Sequence, residues 1–174
     1  QLTGDWLNKE YAANYGWYGG GSAGLQSTID RIDFSNDSAT ALVRGPLILG
    51  RVNLSATGNS NYGWFGDGAS PGPTLVTTVD RIDFSNDSPT ASVRGPLSLA
   101  RTQLAATGNS NYGWFGGGRD PSSSPATVSL VDRIDFSNDS PTLLVRGPIT
   151  EKYRLAATGN SNYGWFGGGR NDSI

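Results

Sequence analysis

Three copies of a short acidic segment contain the first residues in this chain whose types and spacing could do chemistry. Asp-Arg-Ile-Asp occurs at 30–33, 80–83 and 132–135, so that two carboxylates stand three residues apart with an arginine between them. Paired carboxylates hydrolyse glycosidic bonds where their environments separate their pKa values. An active site is normally built once, whereas this pair recurs three times in one setting. The pattern therefore favours Arg–Asp pairing between adjacent strands or repeats, and we predict that the protein is not an enzyme.

The composition excludes several kinds of catalytic and metal-binding site. The 174 residues include no Cys, no His and no Met, and the formal net charge is −2. Without His the chain lacks the usual neutral-pH general base, and without Cys it lacks disulfides and thiolate ligands. The acidic balance argues against nucleic acid held by a basic patch. No run approaches the ~18 apolar residues of a membrane span, so we predict none.

The segment Asp-Phe-Ser-Asn-Asp-Ser that follows each arginine suggests two further kinds of site. In the first copy its oxygen ligands are Asp33, Ser35, Asn36 and Asp37. Oxygen ligands suit Ca²⁺, but the spacing is not that of an EF-hand, and an Asx turn is favoured. We therefore predict no metal site and no cofactor. Asn36, Asn86 and Asn138 each begin Asn-Asp-Ser, which makes them candidate glycosylation sites as well as good turn formers.

An octet rich in aromatic residues and glycine occurs four times, at 14–21, 61–68, 111–118 and 162–169. Each copy contributes a Tyr and a Trp two residues apart, and these are Tyr15, Trp17, Tyr62, Trp64, Tyr112, Trp114, Tyr163 and Trp165. Such rings are candidate ligand-binding residues, because sugars stack on aromatic faces. The pattern favours the alternative, in which the rings fill the space between packed sheets.

The octets mark a tandem repeat. They begin at 14, 61, 111 and 162, so the spacings are 47, 50 and 51 residues. We predict an N-terminal strand segment at 1–13, repeats at 14–60, 61–110 and 111–161, and a partial repeat at 162–174. Nearly all of the length difference lies in the loop after the octet, and insertions at one loop of each repeat collect on one face.

Four short strands are predicted in each repeat, around the segments LAATGN, NYGWF, VDRIDFS and TASV. Alternation puts Tyr112 and Trp114 on one face of the second strand and Phe115 on the other. Aromatic residues on both faces are typical of a sheet that is packed on both sides. We therefore predict an all-β protein of four-stranded repeats, with the octet as the inner strand.

The repeat resembles a blade of the kelch-type β-propeller family. The residues that carry the resemblance are Gly116-Gly117, Ile134–Asp139, Pro96 and Arg101. Two features depart from the family: Asp67 replaces the second glycine of one octet, and the Trp that usually follows the fourth-strand turn is absent. The amino-acid sequence of the repeat also resembles tandem repeats in structural or fibre-like proteins of marine bacteriophages.

Three repeats and a partial one fall short of a closed propeller, which has ~4–8 blades of four strands. The chain is then part of a longer array, or copies combine into one ring, or the N-terminus of one chain completes the partial repeat of the next and forms a filament. A β-trefoil is the alternative fold, although it has no place for a fourth octet.

These resemblances imply a non-enzymatic structural or adhesive protein in an extracellular or virion-surface assembly, a fibre or filament. Its partners would be other copies or further repeats. The alternative is a lectin-like propeller whose partners are cell-surface glycans. An oxidase of the galactose-oxidase type also uses kelch-like blades, but its copper site needs His and a Tyr cross-linked to Cys, and this chain has neither His nor Cys.

Overall fold

Antiparallel strands supply all the regular secondary structure of residues 14–21, 24–72 and 74–171, which the computed structural model describes. The prediction of an all-β protein is confirmed for these ranges. They contain no helix, and hence none of the length and apolarity needed to cross a membrane. The strand segment predicted at 1–13 lies outside the described residues.

The strands follow the predicted order of segments. They are β1 (Tyr15–Gly19), β2 (Ile29–Asp33), β3 (Leu42–Arg44), β4 (Ser55–Gly58), β5 (Tyr62–Gly66), β6 (Ala69–Ser70), β7 (Thr74–Leu75), β8 (Val79–Asp83), β9 (Ser92–Arg94), β10 (Ala105–Gly108), β11 (Tyr112–Gly116), β12 (Val131–Asp135), β13 (Leu144–Arg146), β14 (Tyr153–Gly159) and β15 (Gly164–Arg170).

Consecutive strands pair into a series of meanders. Two sheets have four strands, β4-β5-β8-β9 and β10-β11-β12-β13, while β6 and β7 form a small hairpin in a variable loop. The first sheet has three described strands, β1-β2-β3, and the last has two, β14-β15. We number these four as sheets 1 to 4 in chain order. Each four-stranded sheet starts with the segment that ends the preceding predicted repeat, so the sheets are offset from the boundaries at 61 and 111.

The first strands of sheets 2, 3 and 4, which are β4, β10 and β14, lie nearest to one another. Strand β10 packs against both β4 and β14. The Oγ1 of Thr57 donates to the carbonyl of Thr107 at 3.0 Å, and the Oγ of Ser55 donates to the carbonyl of Leu104 at 2.7 Å. The octet is the second strand of sheets 2 and 3 and lies between two other strands, in line with the prediction that it is an inner strand of the sheet. The small Ala, Thr and Gly side chains of the first strand let backbones approach, whereas the aromatic octet needs the wider space one strand further out.

The core lies between successive sheets, and the octet fills it from both sides. In sheet 2, Trp64 and Phe65 point to opposite faces, and both are buried. Phe115 of sheet 3 packs on Gly66 of sheet 2, where an added Cβ would lie 2.8 Å from its ring. Both faces of the octet strand are thus packed, as the alternation of its residues predicted. The array does not close on itself within the described part of the chain.

An Arg-Gly-Pro segment after each fourth strand makes the tightest backbone contact with the next sheet. The N–H of Gly95 donates to the carbonyl of Asp139 at 2.7 Å, and the N–H of Leu143 donates to the carbonyl of Pro96 at 2.9 Å. A Cβ on Gly95 would overlap the carbonyl of Pro141, whereas a Cβ on Gly147, after the fourth strand of sheet 3, would meet nothing within 4 Å. The same motif is therefore packed in one repeat and open in another.

We predict that Gly95→Ala lowers the free energy of unfolding by about 1–3 kcal/mol, because its methyl group cannot fit against the backbone of the next sheet. Gly147→Ala is the matched control and should change that free energy by less than about 0.5 kcal/mol. Urea unfolding followed by tryptophan fluorescence measures both. Equal effects of the two substitutions would contradict the packing described for Gly95.

Candidate functional site: the contact between successive sheets

One aspartate carboxylate joins sheet 2 to sheet 3. Asp139 lies in the turn between β12 and β13, and its Oδ2 accepts from Trp64 Nε1 at 2.9 Å and from Arg81 Nη1 at 2.9 Å. The Nε of Arg94 lies 3.2 Å from the same oxygen. Two hydrogen bonds and one further ion-pair contact from sheet 2 therefore converge on one carboxylate oxygen of sheet 3, where the Nε of Arg94 makes no hydrogen bond among the described residues. We call this arrangement the aspartate clamp.

Sheets 1 and 2 are joined in the same way. Asp87 accepts from Trp17 Nε1 at 2.9 Å and from Arg31 Nη1 at 3.0 Å, and Arg44 Nε lies 3.5 Å from its other oxygen. Charge-assisted hydrogen bonds of this kind are about twice as strong as neutral ones. The clamp is thus a repeated element of the interface between sheets.

Stacked rings shield each clamp. The indole of Trp64 lies on Phe136 of the next sheet with centroids 4.1 Å apart and an interplanar angle of 9°, and Trp17 lies on Phe84 at 3.8 Å and 10°. The guanidinium of Arg81 lies 4.4 Å from the ring centroid of Tyr62. Ring stacking and cation–π contact keep the donors of the clamp in place and exclude water from them.

A local turn presents the clamp aspartate. The Oδ1 of Asp135 accepts from the N–H of Ser137 at 2.9 Å and from its hydroxyl at 2.7 Å, and these bonds lower the pKa of Asp135. The chain is thereby folded back so that Asp139 faces the preceding sheet. The turn has the predicted Asx form. No group of three acidic side chains suited to a metal ion occurs in the described ranges.

The clamp is incomplete at both ends of the array. Trp114, Arg133 and Arg146 occupy the donor positions in sheet 3, but no ion pair forms at either arginine among the described residues. The Nε of Arg133 is buried there without a hydrogen-bond partner. At the other end Asp37, the equivalent of Asp87, is exposed and makes no ion pair in these ranges.

A second pair of charges lies in the connection between sheets. Arg51 and Asp80 approach to 2.8 Å, and Arg101 and Asp132 approach to 2.9 Å, with all four side chains 0% exposed. Arg101 also donates to the backbone carbonyls of Phe115 and Gly117. In the second and third Asp-Arg-Ile-Asp segments the two carboxylates thus have separate partners, in line with Arg–Asp pairing.

Asp67 is a buried acid that the repeat pattern does not require. It stands where the other octets carry glycine, with a φ of 70° and no exposed surface. Its Oδ1 accepts from the N–H of Arg101 at 3.0 Å, while its Oδ2 has no partner in the described part of the chain. Burial raises the pKa of Asp67 to about 8, although Arg101 and Arg51 act in the opposite direction.

The candidate ligand-binding aromatics differ in their exposure. Trp64 is 0% exposed and offers no face to a ligand, and Tyr15, Trp17, Tyr62, Tyr112 and Trp114 are half-buried. Tyr163 and Trp165 are exposed, at 68% and 52%. The candidate glycosylation residues Asn36, Asn86 and Asn138 are all exposed at the turn that carries the clamp aspartate.

The clamp was not predicted from the sequence, and Arg101 was named there without its buried partner Asp132. The signal was present, because the Arg of each Val-Arg-Gly-Pro and the Asp of each Asn-Asp-Ser recur once per repeat. Their pairing runs between repeats, with Trp64 and Asp139 separated by 75 positions. Periodicity within one repeat could not find a contact of that range.

Comparisons with known proteins bear on the fold alone. No family model matches the chain, and no curated protein matches it. Among solved structures the chain is similar to YjhT, with a TM-score of 0.66 and 14% identity over 84% of this chain. The chain spans 46% of the length of YjhT, which is less than half.

We predict that Asp139→Asn lowers the free energy of unfolding by about 2–3 kcal/mol, because it leaves two arginines without their anion at a largely buried site. Asp37→Asn is the matched control, since the same position in the first repeat is exposed. Urea unfolding at low protein concentration compares the two. Equal stability of both variants would contradict the clamp.

Asp67 predicts a dependence of stability on pH. The folded chain keeps the proton of Asp67 up to about pH 8, while the unfolded chain releases it near the ordinary value of 3.8. The free energy of unfolding therefore falls as pH rises through that window. Asp67→Asn keeps the acceptor oxygen and should flatten this fall. Urea midpoints across the window measure it, and parallel profiles for the two proteins would contradict the assignment.

Proposed function

We propose that the sheets are kelch-like β-propeller blades, and that the chain is a non-enzymatic structural protein that assembles with other copies of itself or with further repeats. The observation that carries the proposal is the aspartate clamp, which is complete between sheets 1 and 2 and between sheets 2 and 3. At the two ends of the described array, the donors of one clamp and the acceptor of another form no ion pair with any described residue. A repeated contact with two unlike open ends suits heterologous assembly, in which each unit adds to the next.

The placement of the charged side chains supports a scaffold over a single tuned site. Asp80 and Asp132 pair with linker arginines, and Asp87 and Asp139 join sheets. The chemistry that the sequence offers is thus used to hold blades together, once per blade. In repeat proteins, stability is the sum of such terms between neighbours, and arrays of near-identical units are regular as a result.

We place the assembly outside the cell or on a virion surface, as a fibre or filament with an adhesive role. The support is the resemblance of the repeat to fibre-like phage proteins. In addition, the candidate glycosylation residues Asn36, Asn86 and Asn138 are exposed, as a surface protein would require.

A lectin-like propeller is the second candidate. The exposed pair Tyr163 and Trp165, with ring centroids 6.0 Å apart, supports it, because two such faces side by side suit the stacking of a sugar. Binding of the assembled protein on a glycan array, lost in Trp165→Ala, would favour this function. No binding would count against it.

Negative-stain imaging with native mass measurement tests the structural proposal. We expect particles larger than the 18.3 kDa chain, as rings of fixed mass or as fibres. Their amount should rise with protein concentration, because association follows mass action. A monomer of 18.3 kDa at every concentration would contradict the proposal.

A further inference from the structure

We infer that the open clamp of sheet 3 binds Asp37 of a second copy, and that β15 of one copy pairs with β2 of the other. This inference rests on the proposed function, since it names the partner and the residues of the assembly contact. The two ends of the described array together hold the groups of one further clamp. The donors lie at the sheet 3 end and the acceptor lies at the sheet 1 end.

The donor end is defined by comparison with the complete clamps. Trp64, Arg81 and Arg94 all contact Asp139, and their equivalents are Trp114, Arg133 and Arg146. The Arg-Gly-Pro segment at 146–148 also has no neighbouring sheet packed on its glycine among the described residues. Gly147 faces open space, whereas Gly95 lies against the backbone of Pro141.

The acceptor end carries the matching groups. Asp37 is the equivalent of Asp139, and Phe34 is the equivalent of the Phe136 ring that stacks on Trp64. Phe34 is 54% exposed, although its equivalents in sheets 2 and 3 are packed on a tryptophan. A carboxylate with an adjacent ring is thus exposed on sheet 1. On sheet 3, two arginines and a tryptophan occupy the positions that bind such a carboxylate in the complete clamps. This complementarity of charge and shape commits the surface to a second copy.

The strand count explains where the second copy fits. Sheet 4 consists of the first and second strands of a blade, β14 and β15, and the outer edge of β15 is unpaired in the described ranges. Strands β2 and β3 of sheet 1 are the equivalents of the third and fourth strands of sheets 2 and 3. Together the four would complete one sheet of the standard order. Within it, Asp37 of the second copy would follow β2 and lie over sheet 3, as Asp139 lies over sheet 2.

The octet makes the exchange possible. In sheet 1, β2 pairs with β1, in the register Trp17 opposite Arg31. Strand β15 carries the same octet, with Phe166 where β1 has Tyr18, so it offers β2 the same pattern with Trp165 opposite Arg31. Strand β15 therefore takes the place of β1 of the second copy. If two copies exchange strands reciprocally, each copy contributes sheets 2 and 3, and the two exchanged sets of strands form two composite sheets. The pair then has about six sheets, which is within the ~4–8 blades of closed propellers.

Native mass and light scattering of two single variants, alone and mixed, test this contact. Asp37→Asn removes the acceptor and Arg133→Gln removes a donor, so each alone should associate at least about tenfold more weakly than the unaltered chain. In the mixture, the intact Asp37 of one chain meets the intact donors of the other. We therefore expect mixing to restore pairs of twice 18.3 kDa, each with one chain of either kind.

Glu151→Gln is the charge-matched control, because it removes one negative charge from a residue outside the clamp and should associate like the unaltered chain. Far-UV spectra of all variants establish that they are folded. If the unaltered chain assembles but Asp37→Asn assembles equally well, this inference is overturned while the proposed function stands. If the unaltered chain stays monomeric, both fail.

Because the chain has no Cys, a disulfide can report the strand pairing. Tyr15 is opposite Asp33 in sheet 1, and Tyr163 is the equivalent of Tyr15 in the last octet. Mixing Tyr163→Cys with Asp33→Cys under mild oxidation should yield a cross-linked pair with one chain of each kind. Absence of this product, while the Asp37 variants still show the complementation, would overturn the pairing of β15 with β2.

Discussion

A single carboxylate shared between sheets is the interaction on which the rest of the structure depends. Asp87 and Asp139 each bring an anion into a largely buried space, where it is stable only when surrounded by donors. The donors come from the preceding sheet, so neither sheet can satisfy its own groups. Separation of two sheets would leave a carboxylate, two guanidinium groups and an indole N–H without partners. Breaking such a buried pair costs several kcal/mol, so the clamp makes neighbouring sheets cooperative.

The linker arginines impose a second constraint, which acts on register. Arg101 reaches from the connection after sheet 2 into sheet 3, where it pairs with Asp132 and donates to the carbonyl of Phe115. A guanidinium has five donors in a fixed fork, and only one placement of the next sheet satisfies several of them at once. Near-identical repeats are prone to mispairing during folding. A buried arginine in each of the two connections between sheets 1, 2 and 3 ties the following sheet to the segment that precedes it.

The sequence was informative where the physics is local. Alternation and turn residues predicted the four strands of each repeat, and the aromatic residues on both faces of the octet predicted packing on both sides, which Trp64 and Phe65 display. The sequence was less informative about relations between repeats. It did not predict that the strand before the octet, with the sequence Ala-Ala-Thr-Gly in sheet 3, packs against both neighbouring sheets. Backbones approach closely there because the side chains are small. Asp67 could be recognised as a departure, but its burial depends on Arg101, which lies 34 positions further along the same repeat.

The near-identity of the octets has an energetic consequence for assembly. When β15 replaces β1 beside β2, the backbone hydrogen bonds lost and gained are of the same number and kind, so strand exchange by itself contributes little to the free energy of association. The net gain comes from groups that form no ion pair or ring stack within the described part of the isolated chain. These are the carboxylate of Asp37, the guanidinium groups of Arg133 and Arg146, and the exposed ring of Phe34. A few residues at the clamp therefore determine the affinity between chains, while the repeated strands determine only the register in which the chains pair. Such a division lets near-identical blades be added without a change in the fold of any one of them.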